Sequence, residues 1–319
     1  MGTDRIPVVM ISDDNYVMQT CVAITSLKRN KNVQTKYEII IVMAECSEAS
    51  EQIFQSMDCE ECQIVLLKAS LEQYKDIKQL AHIPIACLLK FDICELIPQH
   101  DKLLYMDGDV IVRKDLTELF NTELRDNYAA AVKETNYLRQ KSDGINAGIM
   151  LFNAAKMRQD NMRAKLVAQR KALGDRGSMD QQTYNILIKD KVVFLGIKYN
   201  CVPGRFIGDA KMEYTIEEIN AMYGTNYTTP KQMIEDAVIL HFATGNKPWK
   251  YTFAPCAKEW YKYYLESPFK DKPFKRYGRW GYRFHNMFNI LKKDGIKGTL
   301  YYLKQRKERK NTKKEVKWE

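Results

Sequence analysis

The sequence predicts a doubly wound α/β domain with a mostly parallel sheet, followed by a basic helical tail. Three observations predict it. Apolar runs of strand length alternate with stretches of helical periodicity through residues 6–112. These runs are continuous rather than alternating, as parallel strands covered on both faces require. A polar cluster, Asp13-Asp14-Asn15-Tyr16, follows the first run directly, at the carboxyl end of a strand, where open α/β sheets bind ligands.

The elements follow in order. IPVVMIS (6–12) is the first strand, and residues 16–29 carry Val17, Cys21, Ile24 and Leu27 at helical spacing. YEIIIVMA (37–44) is the second strand, a polar helix follows near 48–57, and QIVLLKA (63–69) is the third strand. Residues 84–97 place Ile85, Leu88, Leu89, Ile93 and Leu96 on a helix stripe that Pro98 ends. LLYMDGDVIV (103–112) reads as the fourth strand. The second half is mixed, with strands at NYAAAVKE (127–134) and NAGIMLFNA (146–154), a basic helix over 155–173 and a helix beginning at MDQQTYNILI (179–188). KVVFLGIKYN (191–200) is a strand leading to a turn, and DAVILHFATGNKPW (236–249) a strand running into a loop.

The 319 residues suffice for one large domain or two smaller ones, and the apolar fraction of 45% is that of a globular protein. No apolar run approaches the roughly 20 residues that span a bilayer. MGTDRIPVVMIS lacks a basic segment followed by a long apolar one, so no signal peptide is expected. The eight cysteines show no disulfide-framework spacing. Cys59 and Cys62 form a lone CxxC among acids, which disfavour a thiolate, and free thiols in a reducing cytoplasm are expected.

Net charge is +10, and residues 270–319 alone hold 17 Lys and Arg against 5 Asp and Glu, so the other 269 residues carry about −2. Within that tail, residues 282–303 set Phe284, Met287, Phe288, Leu291, Ile296, Leu300 and Leu303 among basic residues. Such a helix suits an anionic membrane surface, or packs on the domain and shows a solvated basic face. No nucleic-acid recognition motif accompanies the charge, and no nucleic acid is expected as a partner.

The chemistry begins at residues 103–112. Asp107 and Asp109 sit inside an apolar run, where carboxylates are costly to bury without compensation. A divalent cation is one compensation. If the segment stays extended, both acids point to one face. Gly108 between them leaves room for close approach. The same three residues also suit a surface turn. His241, one of four histidines, follows the apolar run AVIL. It reads as a structural residue or as a third ligand, imidazole being the commonest protein ligand to metals. Lys247, after Thr244-Gly245-Asn246, is a surface lysine or meets a phosphate.

Six segments in order resemble the family 8 glycosyltransferases, retaining enzymes that include bacterial lipopolysaccharide galactosyl- and glucosyltransferases and glycogenin. They are SDDNY (12–16), HIPIACLLKFDICELIPQHDKLLYMDGDVIV (82–112), NAGIMLFN (146–153), MDQQTYN (179–185), the tyrosine-asparagine turn near 199–200, and HFATGNKPW (241–249). The resemblance implies a GT-A domain, a Rossmann-like fold that binds a nucleotide sugar. On this reading residues 1–257 form that domain, with a nucleotide-binding half of about 1–112 and a donor and acceptor half of about 113–257. Residues 258–319 form an aromatic and basic tail.

It further implies that Asp107, Asp109 and His241 hold a metal, Mn²⁺ or alternatively Mg²⁺. Ile11, Asp13, Asn15, Tyr16, Met106, Gly108, Thr244, Gly245 and Lys247 would meet the nucleotide of a UDP-sugar. Lys90, Glu134, Asn146, Ala147, Asp180 and Gln181 would surround the donor sugar, and His82 would lie near the acceptor. Lys90 stands where the family usually has Arg, which loses the bidentate fork, and Glu134 where many members have Asp. Thr244 takes a glycine position of the loop, and Gly245 follows it.

The chemistry implied is a retaining hexosyl transfer from UDP-glucose or UDP-galactose to a glycan or glycolipid, at the inner face of the membrane. Asp180 would stabilise an oxocarbenium-like sugar. Gln181 has a poor nucleophile in its amide, which favours attack from the leaving-group face. As a helix N-cap and first turn, the pair would also suit a structural role. A glycogenin-like self-glycosylating protein and a non-catalytic carbohydrate- or membrane-binding protein on the same fold are the alternatives.

Overall fold

A computed structural model of the chain describes residues 5–78, 84–134, 144–176, 179–207 and 215–281, together with Met287, Leu291, Lys292 and Ile296. In its first third, β1 (Ile6–Ser12), α1 (Val17–Asn30), β2 (Tyr37–Ala44), α2 (Glu48–Gln55) and β3 (Cys62–Ala69) alternate as expected. After α3 (Ile93–Leu96) come β4 (Lys102–Met106), β5 (Val110–Val112), α4 (Thr117–Phe120), β6 (Ala129–Lys133) and β7 (Ile145–Asn153). Then follow α5 (Ala154–Gln159), α6 (Met162–Leu173), α7 (Asp180–Ile188), β8 (Val192–Leu195), α8 (Ile216–Tyr223), α9 (Pro230–Asp236), β9 (Ile239–His241) and α10 (Ala257–Tyr264).

Seven strands form one sheet in the order β3-β2-β1-β4-β7-β6-β8. β7 runs antiparallel to both its neighbours, and the remaining pairs are parallel. Both faces are covered, which explains the continuous apolar runs. Along β2, Ile39, Ile41 and Met43 join a core shared with α1 and α2, while Ile40, Val42 and Ala44 join one shared with the 85–97 segment, α6 and α7. A third cluster gathers Val22, Ile111, Leu240, Phe242, Trp249 and Trp260.

Four sequence expectations are corrected. The 84–97 stripe is not one α-helix but a 3-10 segment, Ile85–Phe91, followed by the short α3. Buried Lys90 and Asp92 take partners on β7, α7 and α6, and such tertiary bonds override helical propensity. The basic helix over 155–173 breaks where Asn161 adopts a left-handed φ of 48°, which Asn tolerates. The 191–200 strand is shorter, with β8 ending at Leu195 and a 3-10 turn over Ile197–Tyr199.

Fourth, LLYMDGDVIV is not one strand. The chain leaves the large sheet after Met106, bends through Asp107–Asp109, and enters β5, which pairs antiparallel with β9 in a separate two-stranded sheet. The bend stays bonded, since Asp107 N donates to Gly148 O at 2.8 Å and Phe242 N to Asp109 O at 2.9 Å. Gly108 permits it. A Cβ there would lie 2.6 Å from Thr20 Oγ1 and 3.1 Å from Tyr16 Cδ1.

The eight cysteines are free thiols, and Cys59 and Cys62 close a tight turn into β3. α10 packs on the domain rather than projecting from it. Trp260 is fully buried, 5.7 Å from the Trp249 ring, and Glu259 accepts two bonds from Arg113, at 2.7 and 2.5 Å. Most of 282–303 lies outside the described residues. Among those described, no helix is long and apolar enough to cross a membrane.

Candidate active site

The site forms where the sheet hands over its carboxyl edge. β4 delivers the bend with Asp107 and Asp109, antiparallel β7 brings its amino-terminal residues Asn146 and Ala147 alongside, β9 ends at His241, and α7 begins at Asp180. Ligand atoms of Asp107, Asp109 and His241 all lie within 4.8 Å of one another. His241 Nε2 is 3.5 Å from Asp107 Oδ2 and 3.3 Å from Asp109 Oδ1. The bend serves as well as an extended strand would, because Gly108 and Gly148 let the backbone close in. A Cβ on Gly148 would lie 2.3 Å from His241 Cε1 and 2.9 Å from Asp107 Oδ2.

Two lysines flank the acids. Lys247 Nζ donates to Asp109 Oδ2 and to Phe242 O, each at 2.6 Å. Lys90, 2% exposed, is ion-paired with Asp180, donates to Ala147 O at 2.8 Å, and lies 3.7 Å from Asp107 Oδ1. Tyr105 OH donates to Asp107 Oδ1 at 2.7 Å, and Tyr184 OH to Lys90 O at 3.0 Å. Burial pushes the Asp107 carboxyl up, with Lys90 and His241 opposing. For Asp109 burial acts the same way, but His241 and Lys247 outweigh it and hold the group well below the usual carboxylate range. Burial also works against the Lys90 charge, yet Asp180 and Asp107 prevail and raise its pKa.

Two carboxylates and an imidazole, converging from two elements, fit a divalent cation with oxygen and nitrogen ligands, Mn²⁺ or Mg²⁺. The residues expected around a donor sugar are equally ordered. Gln181 Oε1 accepts from Ala147 N at 3.2 Å, and its Nε2 donates to Glu134 Oε2 at 3.3 Å. Glu134 is 2% exposed, takes an Nδ2–H bond from Asn146 at 2.8 Å, and is ion-paired with Arg205.

Among the residues expected at a nucleotide, Asn15 N donates to Asp13 Oδ1 at 3.0 Å, and Tyr16 meets Trp249 edge to face, 6.0 Å between centroids. Burial and the carboxylates of Asp109 and Asp107 push the Tyr16 hydroxyl far up. Ile11 is half-buried at the end of β1, whereas the Met106 side chain is fully buried in the core. Asp14 braces the start of α2, its Oδ1 accepting from Ser47 N at 2.9 Å and from Ser50 Oγ at 2.6 Å. Thr244 packs on Gly204, where a Cβ would lie 2.3 Å from Thr244 Oγ1, and Gly245 stays open. His82 lies outside the described residues.

Sequence reasoning assigned no role to Tyr105, Gly148, Asn200 or Arg205. Asn200 Oδ1 meets His241 Nδ1 at 2.9 Å. The tyrosine-asparagine turn was a visible signal for it, but its partner 41 residues away was not.

Residues 7–252 match the family described as Glycosyl transferase family 8. Among curated relatives, the glycosyltransferase GlyD of Streptococcus pneumoniae serotype 4 is 28% identical over 253 residues, covering 76% of this chain and 28% of the relative. A lipopolysaccharide 1,2-glucosyltransferase of Escherichia coli is 25% identical over 283 residues, covering 83% of this chain and 79% of the relative. The chain thus spans well under half the length of GlyD and of its pneumococcal counterparts GlyA and GlyE, at 28%, 35% and 43%. Among solved structures, the galactosyltransferase LgtC with donor and acceptor sugar analogs superposes with a TM-score of 0.69 at 24% identity, covering 84% of this chain and 100% of that one. The bifunctional glycosyltransferase WbbM gives 0.69 at 20%, covering 85% and 51%. At such identities these two establish the fold, the expected GT-A arrangement. The family match spans most of the chain, and on it the conclusion rests: this protein belongs to glycosyltransferase family 8.

Proposed function

We propose that the protein transfers a hexose, glucose or galactose, from a UDP-sugar to a glycan or glycolipid acceptor with retention of configuration, using Mn²⁺ or Mg²⁺. The observation that carries this reading is the convergence of Asp107, Asp109 and His241 within 4.8 Å, with Lys247 beside them.

A bound cation would supply Lewis-acid stabilisation of the departing diphosphate. The chain's residues do the rest. Lys247, on a loop at the open edge of the site, adds positive charge for the leaving group. Asp13, Asn15 and Tyr16 bind the nucleoside end. Asp180, kept in place by Lys90, faces charge developing on the sugar. Gln181 is held at both ends of its amide by Ala147 and Glu134. That supports an orienting role over a nucleophilic one, with the acceptor attacking from the leaving-group face and its proton passing to the departing phosphate.

The charge of the 270–319 segment supports a glycolipid acceptor at an anionic membrane face. Incubating the protein with UDP-glucose and UDP-galactose, with and without Mn²⁺, and measuring UDP release tests the reading. Metal-dependent release with one donor is expected. Absence of turnover and of binding with both donors overturns it.

A further inference from the structure

His241 is the end of a hydrogen-bonded chain whose direction can be derived from groups that cannot reverse. Gly148 N is a backbone donor and lies 3.0 Å from Asn146 Oδ1, so that oxygen is the accepting end of the Asn146 amide. At the other end Asn146 Nδ2 donates to Glu134 Oε2 at 2.8 Å, and the Glu134 carboxylate, paired with Arg205, is an acceptor. The orientation of Asn146 is therefore set twice.

Asn146 Oδ1 next accepts from Asn200 Nδ2 at 2.8 Å, which turns Asn200 Oδ1 toward His241 Nδ1 at 2.9 Å. An oxygen that only accepts requires a proton on Nδ1. With Nδ1 carrying a proton, Nε2, which is 3.5 Å from Asp107 Oδ2 and 3.3 Å from Asp109 Oδ1, is the ring nitrogen that can offer a lone pair to a cation held between the two acids. The backbone holds the chain in register. His241 N donates to Cys201 O at 2.8 Å, and Cys201 N to Ile239 O at 3.0 Å, so Asn200 is carried beside β9.

We infer that Asn200 is a positioning residue that sets the Nδ1–H tautomer of His241, with Asn146 and Glu134 orienting Asn200 in turn. Residues expected around the donor sugar and the metal ligand then form one unit. An imidazole of the opposite tautomer would offer a proton, not a lone pair, to the cation. The consequence for metal rests on the function proposed above. The tautomer itself does not.

The test uses the metal-free full chain labelled with ¹⁵N-histidine. The His241 resonances are assigned by their loss in His241→Gln. Wild type is expected to carry the proton on Nδ1. Asn200→Ala is expected to mix the tautomers and weaken Mn²⁺ binding, read by electron paramagnetic resonance titration, by about 10–100-fold, the usual cost of losing a partner behind a ligand. Asn200→Asp, which keeps an acceptor toward Nδ1, is expected to retain the tautomer. A wild-type Nδ1 without a proton overturns the inference, whether or not Asn200→Ala folds, and so does an Asn200→Ala protein with unchanged Nδ1 protonation and Mn²⁺ affinity. A wild type with the Nδ1 proton that binds no Mn²⁺ upholds the positioning chain and overturns the metal reading instead.

Discussion

Lys247 Nζ lies 2.6 Å from Asp109 Oδ2 across 138 residues of sequence. A loop lysine thus covers one oxygen of a carboxylate whose other oxygen faces His241. On the proposed function that lysine would serve the leaving diphosphate, and the geometry makes Lys247 separable from Asp107, Asp109 and His241. Lys247→Ala is expected to lower kcat/KM for the UDP-sugar by about 10²-fold or more, the scale of losing one preorganised stabilising group. Mn²⁺ affinity should hold or rise, because Asp109 loses a competing partner. Steady-state UDP release and a Mn²⁺ titration check the two halves, and equal losses in both would count against a role toward the leaving group.

Gly148 tests the geometry of the cluster without replacing a ligand. In Gly148→Ala the new methyl meets His241 Cε1 at 2.3 Å and Asp107 Oδ2 at 2.9 Å, so the imidazole must shift. Mn²⁺ affinity is expected to fall at least about tenfold, as for other disturbances behind a metal ligand. The far-ultraviolet circular dichroism should stay unchanged. An alanine variant that binds Mn²⁺ like wild type would mean that His241 is not a ligand.

Lys90 and Asp180 form a buried ion pair, so removing the lysine strands a carboxylate. Lys90→Met is expected to destabilise the fold by about 3–5 kcal/mol, the cost of breaking a buried pair from one side, measured by urea unfolding at pH 7. The folded pKa of Lys90 is raised above its ordinary 10.5. Its stabilising contribution is therefore complete below that value and is lost only as pH rises through the folded pKa. The gap between wild type and variant should stay constant from neutral to mildly alkaline pH and narrow beyond.

Trp260 reports whether α10 belongs to the fold. It is fully buried, stacked on Tyr264 with ring centroids 5.8 Å apart and tilted against Trp249. Trp260→Ala is expected to cost about 3–5 kcal/mol, again by urea unfolding. A chain ending at residue 281 should keep wild-type stability and lose salt-sensitive binding to vesicles of anionic lipid, read by co-sedimentation.

Much of the site was legible from residue type and order. Carboxylates in an apolar run, a histidine at a strand end and a lysine beyond a glycine loop are chemically conspicuous, and the structure brings Asp107, Asp109, His241 and Lys247 together. Arg205 was not legible, because it looks ordinary in its own segment and its partner Glu134 is 71 residues away. The turn that holds Asn200 was visible, but its pairing with His241 was not.

The sequence by itself determined the first strands of the sheet. β1 and β2 have the predicted bounds, Ile6–Ser12 and Tyr37–Ala44, because burial on both faces writes itself as a continuous apolar run and needs no distant partner to be read. Only the tertiary structure decided where such a run is cut. LLYMDGDVIV looks like one strand, but its halves bond to β7 and to β9 in two sheets. It likewise decided that 85–91 winds as a 3-10 segment, and which way the Asn200 amide turns toward His241. Local pattern records which face of a segment is dry. Strand partners and the direction of hydrogen bonds are set by contacts among distant segments, and those contacts exist only once the chain has closed around the site.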